Sequence, residues 1–514
     1  MEQHAAATDR WRWLVLAVLC LSLSMVVIDN TVLNVAVPSL ISDLGADIAD
    51  VQWVLNSYLL VLAGLLLVAG GASDRYGRKR VLLIGLIVFG GASLAASFAD
   101  SPGQLIAARA VMGVGAACLM PGTLSVLMHT FNEQERPKAI GIWMAVSSVG
   151  IAGGPVLGGF LIDRFWWGAV FLVNVPLALI SVIAVIVLVP ESRVRGTGRL
   201  DLPGAVLSIA TGVSIVWAII AVPEKGWTSS RVLTWAALGL VMLVVFVLWE
   251  RRFPEPMFDL TLFRNARFSA AVSGGLLAGF GMAGSMFLLT QHFQMLLNYS
   301  PLEAGLRMMP LALSLLIGSS MLSAPLGKRL GAPAALLGAM TVAAAGLALI
   351  SFLGSGGYAG ILAGLVLLGL GIGVAGPVAG NALMSAIPLE RAGMGAGVNS
   401  TVQELGNALG VAALGSILAA LFRDRLPIRV EGEGSLSLPD VLSQLPPGDL
   451  ALVDRVRDAF GDGLSNSQIL GAAVVLAGGL IASFLLWRTK PLAQQPPTPQ
   501  AQPSMAAEQS DLQT

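Results

Sequence analysis

Fourteen times along this chain, a run of about 20 mostly apolar residues stands between short polar or charged clusters. A run of that length crosses the hydrocarbon core of a bilayer as a helix, and a helix satisfies its own backbone there. The runs cover 13–34, 51–71, 81–98, 104–127, 139–160, 169–189, 203–222, 232–249, 269–292, 305–323, 333–353, 359–384, 396–421 and 468–487. With 55% hydrophobic and only 12% charged residues, the chain has too little polar surface for a soluble globule, which carries roughly 25% charge. The fold class expected is an all-α polytopic membrane protein. Arg10 and Arg12 precede the first run. That run is too long for a signal-peptide core and ends in no clear small-residue cleavage pattern, so it is expected to remain as the first span.

Charge and cysteine content exclude several functions. Thirty basic and 30 acidic residues give a formal net charge of zero, which argues against a nucleic-acid partner. Cys20 and Cys118 lie in apolar runs and make neither a disulfide framework nor a metal site. There is no G-x-x-x-x-G-K-[ST] phosphate loop, so ATP hydrolysis is not expected. No cofactor, no metal and no covalent catalysis are expected.

Lysine and arginine set the orientation. With the N-terminus inside, the inner side receives 20 of the 30, among them Arg75, Arg78, Lys79, Arg80, Arg193, Arg195, Arg199 and Arg391, and the outer side nine. Both termini are therefore expected in the cytoplasm. Residues 422–467 read as a long outer loop, within which 449–460 has the pattern of an amphipathic surface helix. Residues 491–514, rich in Pro, Gln, Ala and Ser, read as a disordered cytoplasmic tail.

Ionisable groups at membrane depth are expensive and mark function. Asp29 interrupts the apolar stretch "MVVIDNTVLNVAVP", 16 residues beyond Trp13 and so roughly 24 Å above the inner interface. The fourth span runs the other way, which puts Arg109 about 8 Å below the outer interface. The two depths coincide. Burial favours the neutral form of a carboxylate and a nearby arginine favours the charged form. A movement that changes such a separation loads or releases a proton; the alternative is a static structural pair. A second cluster, Asn399, Gln403 and Glu404, lies in the thirteenth span, with Glu404 about 12 Å from the inner edge. It is expected either to face a cavity or to hold interhelical contacts. Gln291, His292 and Gln294 close the ninth span near the outer face, where the histidine reads as structural.

Glycine is dense in places. "GIAGGPVLGG" places Gly150, Gly154, Gly158 and Gly159 on the fifth span with Pro155 between them. Small residues four apart allow close helix approach, and the proline removes a backbone donor and can kink the helix. Tight packing and a role in alternating access are both consistent with this pattern.

Together these features resemble the major facilitator superfamily, and within it the fourteen-helix drug:proton antiporters. "LVAGGASDRYGRKRVLL" is similar to the family's loop motif through Gly70, Asp74, Gly77, Arg78 and Lys79, with Ala72 where leucine is usual. "LIAARAVMGVGAA" resembles the fourth-helix motif through Arg109 and Gly113, and the glycines of the fifth span with Pro155 resemble the antiporter motif. Asp29, Thr31, Asn34 and Pro38 are similar to the first-helix motif of the fourteen-helix group. "FLVNVP" and "YSPLEAGLRMMP" also match family segments. "WWGAVF" departs from the usual Trp-Arg-Trp, and residues 305–323 lack the acid that some multidrug members carry.

The resemblance implies two six-helix bundles, 1–200 and 269–490, joined by two inserted helices and a linker at 201–268. It implies a substrate cavity between the bundles. Asp29 and Arg109 would couple protons. Asn34, Asn399, Gln403 and Glu404 would meet substrate, and the loop motif would latch against the other bundle. The implied function is proton-driven export of lipophilic, often cationic drugs by a monomer in a bacterial inner membrane, in contact with lipid and driven by the proton gradient alone. The alternatives are a dedicated exporter of one endogenous metabolite, antibiotic or lipid, an uptake symporter, and a non-transporting scaffold.

Overall fold

A computed structural model describes residues 2–132, 134–192, 200–387, 392–428, 437–446 and 449–488. The expected tail at 491–514, the Arg193–Arg199 cluster and Arg391 lie outside the described residues. The helices are α1 (Glu2–Leu44), α2 (Ile48–Tyr76), α3 (Arg78–Ser97), α4 (Pro102–Thr130), α5 (Arg136–Arg164) and α6 (Ala169–Leu188). They continue with α7 (Leu202–Lys225), α8 (Ser230–Arg252) and α9 (Ala266–Leu296). A further apolar helical stretch, Pro301–Leu353, is 53 residues long and breaks at Gly331, whose φ of 77° is foreign to a right-handed helix. It divides into α10 (301–330) and α11 (332–353). The last three are α12 (Tyr358–Met384), α13 (Ala392–Arg425) and α14 (Leu450–Arg488). The result is an all-α polytopic membrane protein, with fourteen long apolar helices among the described residues.

The turns between helices carry the local chemistry that reverses the chain. Between α1 and α2, Gly45 adopts φ 63° and Asp47 caps α2, accepting from the Asp50 amide at 2.7 Å while Asp50 accepts in return. Ser101 with Pro102 starts α4, and Ser300 with Pro301 and Glu303 starts α10 in the same capping-box manner. On the opposite face, Gly77 at φ 112° separates α2 from α3. These turns define two faces, called here the Asp47 face and the Arg78 face.

Helices α1–α6 pack chiefly among themselves, and so do α9–α14. The two sets meet where α5 packs on α10 and α2 on α13. Helix α7 lies along that seam, touching both α2 and α13, and its pairing with α8 includes Trp217 against Trp235 at 4.9 Å. Leu240, Val241 and Val244 on α8 are exposed, as suits a peripheral helix facing lipid. The segment 449–460 is not a separate surface helix. It is the first part of α14, whose 39 residues reach about 58 Å, longer than the hydrocarbon core. Phe460 anchors this extension edge-on against Phe422 of α13, 5.2 Å away.

Candidate functional site: a dry ion pair beside a polar cavity

Asp29 and Arg109 meet. Arg109 Nη1 donates to Asp29 Oδ2 at 2.5 Å, and their side chains are 1% and 0% exposed. Helix rise alone places them at one level. The packing of α4 against α1 brings them into contact. Arg109 is held from three further sides: its Nε donates to the Val54 carbonyl at 3.3 Å, its Cζ lies 4.1 Å from the Tyr58 ring centroid, and Phe171 stands at 5.9 Å. A cation over a desolvated aromatic face gains about 2 kcal/mol.

The other oxygen of Asp29 has a partner the sequence reading did not single out. Asn174 of α6, in the "FLVNVP" segment, donates to Asp29 Oδ1 at 3.2 Å and to Ser93 Oγ at 3.2 Å. Ser93 in turn donates to the Phe171 carbonyl at 2.8 Å. The carboxylate of α1 is thus tied to α3, α4 and α6 through side chains that are all buried.

A cavity of about 210 Å³ lies between the helix sets, lined by Asn30, Thr31 and Asn34 of α1, Met120 of α4, and Met282 and Met286 of α9. Glu404 and Asn407 of α13 complete its polar side, with Asn407 donating to Glu404 Oε2 at 3.0 Å. Asp29 is not part of this lining. It points away from the cavity into its own helix set, one residue from Asn30. Asn399 and Gln403 are not part of it either. The Asn399 side chain lies between Gly275 of α9 and Gly380 of α12, and the Gln403 carbonyl packs against Gly279 of α9. His292 is buried beside Gly354, away from the cavity.

A larger cavity of about 540 Å³ lies toward the Arg78 face. Met120 borders both cavities. Gly70, Asp74 and Arg78 of the loop motif line the larger one together with Gly397 and Ser400 of α13. The polar contacts of Asp74, Arg78 and Lys79 run within their own helix set. Arg78 donates to Asp74 at 2.9 Å, Lys79 Nζ donates to the Ile186 carbonyl at 2.7 Å, and the Lys79 amide donates to Glu191 at 3.2 Å. A side chain at Gly77 would run into the Glu191 carboxylate.

At the Asp47 face the two sets are closed on each other. Within the first set, a Cβ at Gly150 or Gly158 of α5 would lie 3.0 Å from Val27 or 2.9 Å from Val32 of α1, and one at Gly154 would overlap Thr31. Gly159, on another face of α5, sits against the Pro301–Leu302 backbone of α10, and Gly305 of α10 sits against the Pro155 carbonyl. Asp163 accepts from Ser300 Oγ at 3.2 Å and the Leu302 amide at 3.3 Å. Two buried or partly buried amides add cross-links: Gln52 donates to the Val411 and Ala412 carbonyls at 2.9 and 3.0 Å, and Gln294 donates to the Val35 carbonyl at 2.9 Å.

The Major Facilitator Superfamily matches residues 19–411. The multidrug efflux pump LfrA of Mycolicibacterium smegmatis is 36% identical over 490 residues, 93% of this chain and 96% of the pump. The puromycin resistance protein pur8 of Streptomyces alboniger is 37% identical over 416 residues, 80% of this chain and 82% of its own. Among solved structures, a bacterial homologue of the human lysosomal transporter Spinster, in an inward-facing and unoccupied conformation, superposes with a TM-score of 0.64 over 93% of this chain and 98% of that one at 17% identity, which speaks for the fold. No group of three or more potential metal ligands occurs among the described residues. By sequence match and by architecture, the chain belongs to the Major Facilitator Superfamily, among its efflux transporters.

Proposed function

We propose that this protein is a proton-coupled antiporter that exports lipophilic, often cationic compounds across the cytoplasmic membrane, with its Arg78 face in the cytoplasm. The observation that carries the reading is the Asp29–Arg109 pair. It is dry, held by neighbours on three helices, and one residue from the cavity wall. An ion pair this well enclosed is costly to leave half-made, so its state is tied to the packing of α1 against α4 and α6.

In the proposed cycle, cargo enters from the cytoplasm through the larger cavity and reaches the smaller one past Met120. Glu404 offers a negative charge to a cationic cargo there. Asn34 and Asn407 offer hydrogen bonds, and Met120, Met282 and Met286 offer adaptable apolar contact. Parting of α5 from α10 and of α2 from α13 then opens the Asp47 face. Asp29 takes a proton from outside as cargo leaves and gives it up inside on return. Asp74, Arg78 and Lys79 would meet the second helix set when the cytoplasmic side closes. Asn399 and Gln403 would support the α9–α13 packing behind Glu404 rather than touch cargo in this conformation. The arginine and lysine bias toward the Arg78 face supports the orientation, with both termini cytoplasmic.

Export of a single compound is the second reading, favoured by a relative whose name carries one antibiotic, puromycin. Uptake into inside-out vesicles, whose outer surface is the cytoplasmic face, separates the two. Transport of several unrelated lipophilic cations, abolished by an uncoupler, supports the polyspecific antiporter. Transport of one compound alone supports the dedicated exporter, and transport indifferent to the uncoupler contradicts both.

A further inference from the structure

A second pair of carboxylates is buried at the Arg78 face, where the inserted helices begin and end. Asp201 is 2% exposed and Glu250 is 3% exposed. Asp201 caps α7: its Oδ1 accepts from the Gly204 amide at 2.8 Å and from the Trp249 indole nitrogen at 2.7 Å. Glu250 follows Trp249 in the last turn of α8, and its Oε2 accepts from the Phe258 amide at 3.1 Å. The Trp249 bond to Asp201 brings the last turn of α8 onto the cap of α7, so the two carboxyl groups are neighbours there. Each keeps one buried oxygen, Asp201 Oδ2 and Glu250 Oε1, with no donor among the described residues.

Among the described residues, no lysine or arginine side chain pairs with either carboxyl group. The charged side chains on the surrounding described elements are Asp74 and Arg75 on α2, Arg251 and Arg252 on α8, and Glu255, Asp259 and Arg264 on the linker to α9. Asp74 is paired with Arg78, and Arg251 and Arg252 are exposed. Two neighbouring dry anions repel strongly, and one proton held between them turns that repulsion into a hydrogen bond.

We propose that Asp201 and Glu250 bind one shared proton, and that this proton fixes the α8–α9 linker at the mouth of the larger cavity. The link is direct. Glu250 holds the Phe258 amide, and the two residues before it, Pro256 and Met257, line that cavity. With the proton bound, α7, α8 and the linker are clasped together. Its loss drives the Glu250 carboxylate toward water, frees Phe258 and unseats Pro256 and Met257. The site is separate from Asp29 and Arg109 and requires no particular cargo.

The test is a spin label at Met257→Cys in the full chain, with Cys20→Ala and Cys118→Ala, reconstituted in lipid nanodiscs. Its mobility is followed by electron paramagnetic resonance from about pH 5 to about pH 9. The expected result is an immobilised label at low pH that becomes mobile as pH rises. Glu250→Gln and Asp201→Asn each supply a permanent donor where the proton was, and each is expected to hold the label immobilised throughout. Glu250→Ala removes the acceptor of the Phe258 amide and is expected to leave the label mobile throughout. A parent spectrum that does not change with pH overturns the proposal, as does a transition that survives Glu250→Gln. A label that responds instead to added magnesium or calcium at fixed pH overturns it in favour of a metal-cation site.

Discussion

Arg109 and Asn174 divide the carboxylate of Asp29 between them, the guanidinium at 2.5 Å from one oxygen and the amide at 3.2 Å from the other. The arginine comes from α4 and the asparagine from α6, so the ionisation state of one residue of α1 bears on how three helices pack. In the proposed cycle this arrangement would convert a proton into a change of helix contacts, with the carboxylate kept out of the cavity lining.

Removing one member of a buried pair strands the other. Asp29→Asn and Arg109→Gln, singly, are each expected to cost about 3–5 kcal/mol, whereas the double variant recovers part of the loss because no uncompensated charge remains. Denaturation midpoints of the four proteins in detergent check this. A double variant as unstable as the sum of the singles contradicts mutual pairing.

Asn174 is a positioning residue in this account. Asn174→Ala removes a hydrogen bond to a charged group, worth about 1.5–3 kcal/mol. The variant is expected to fold, and its proton-driven transport is expected to fall about tenfold or more. The comparison that matters is binding against transport: cargo affinity at equilibrium should stay within about twofold, because Asn174 does not line the cavity.

Glu404 faces the cavity, so its charge should sort cargo. Glu404→Gln is expected to weaken binding of a monovalent lipophilic cation about tenfold and that of a neutral compound less than about twofold. Calorimetry or fluorescence titration with a matched pair of ligands reads the difference. Equal losses for both would show that Glu404 acts through structure rather than charge.

Gly159 touches the α10 backbone with no room for a side chain. Gly159→Val is expected to wedge the Asp47 face open while leaving the α1–α5 packing through Gly150, Gly154 and Gly158 intact. Reaction of Asn34→Cys with an impermeant thiol reagent from that face should then rise about tenfold, the mark of a population shift of roughly 1.4 kcal/mol. An unchanged rate would mean the α5–α10 contact does not seal this face.

Much of this was legible before any coordinates. Run length and loop charge give the helix count, and a rise of 1.5 Å per residue places Asp29 and Arg109 at one depth. Asn174 was just as visible, a polar residue in the apolar run "FLVNVP". Pairing a neutral residue with a distant carboxylate needs the packing of α6 on α1, which no local pattern encodes. Gln52 and the partner of Gln294 are missed for the same reason, since the carbonyls that they donate to lie 359 or 360 and 259 residues away.

The cluster on α13 divides between the two alternatives that the sequence left open. Asn399, Gln403 and Glu404 are close in sequence, but a helix turns about 100° per residue. Asn399 and Gln403 share the face toward α9, while Glu404 shares the cavity face with Asn407 and Val411. The helical period alone separates them. It does not say which face meets the cavity.

The most direct test of the central claim, that Asp29 carries the coupled proton, follows luminal pH in proteoliposomes with an imposed proton gradient while a lipophilic cation is added. The parent protein is expected to release protons when cargo is supplied, and Asp29→Asn, shown to be folded and to bind the same cargo, is expected to release none. Cargo-driven proton movement that persists in Asp29→Asn would contradict the account and move the coupling site elsewhere, with Glu404 the next carboxylate to examine.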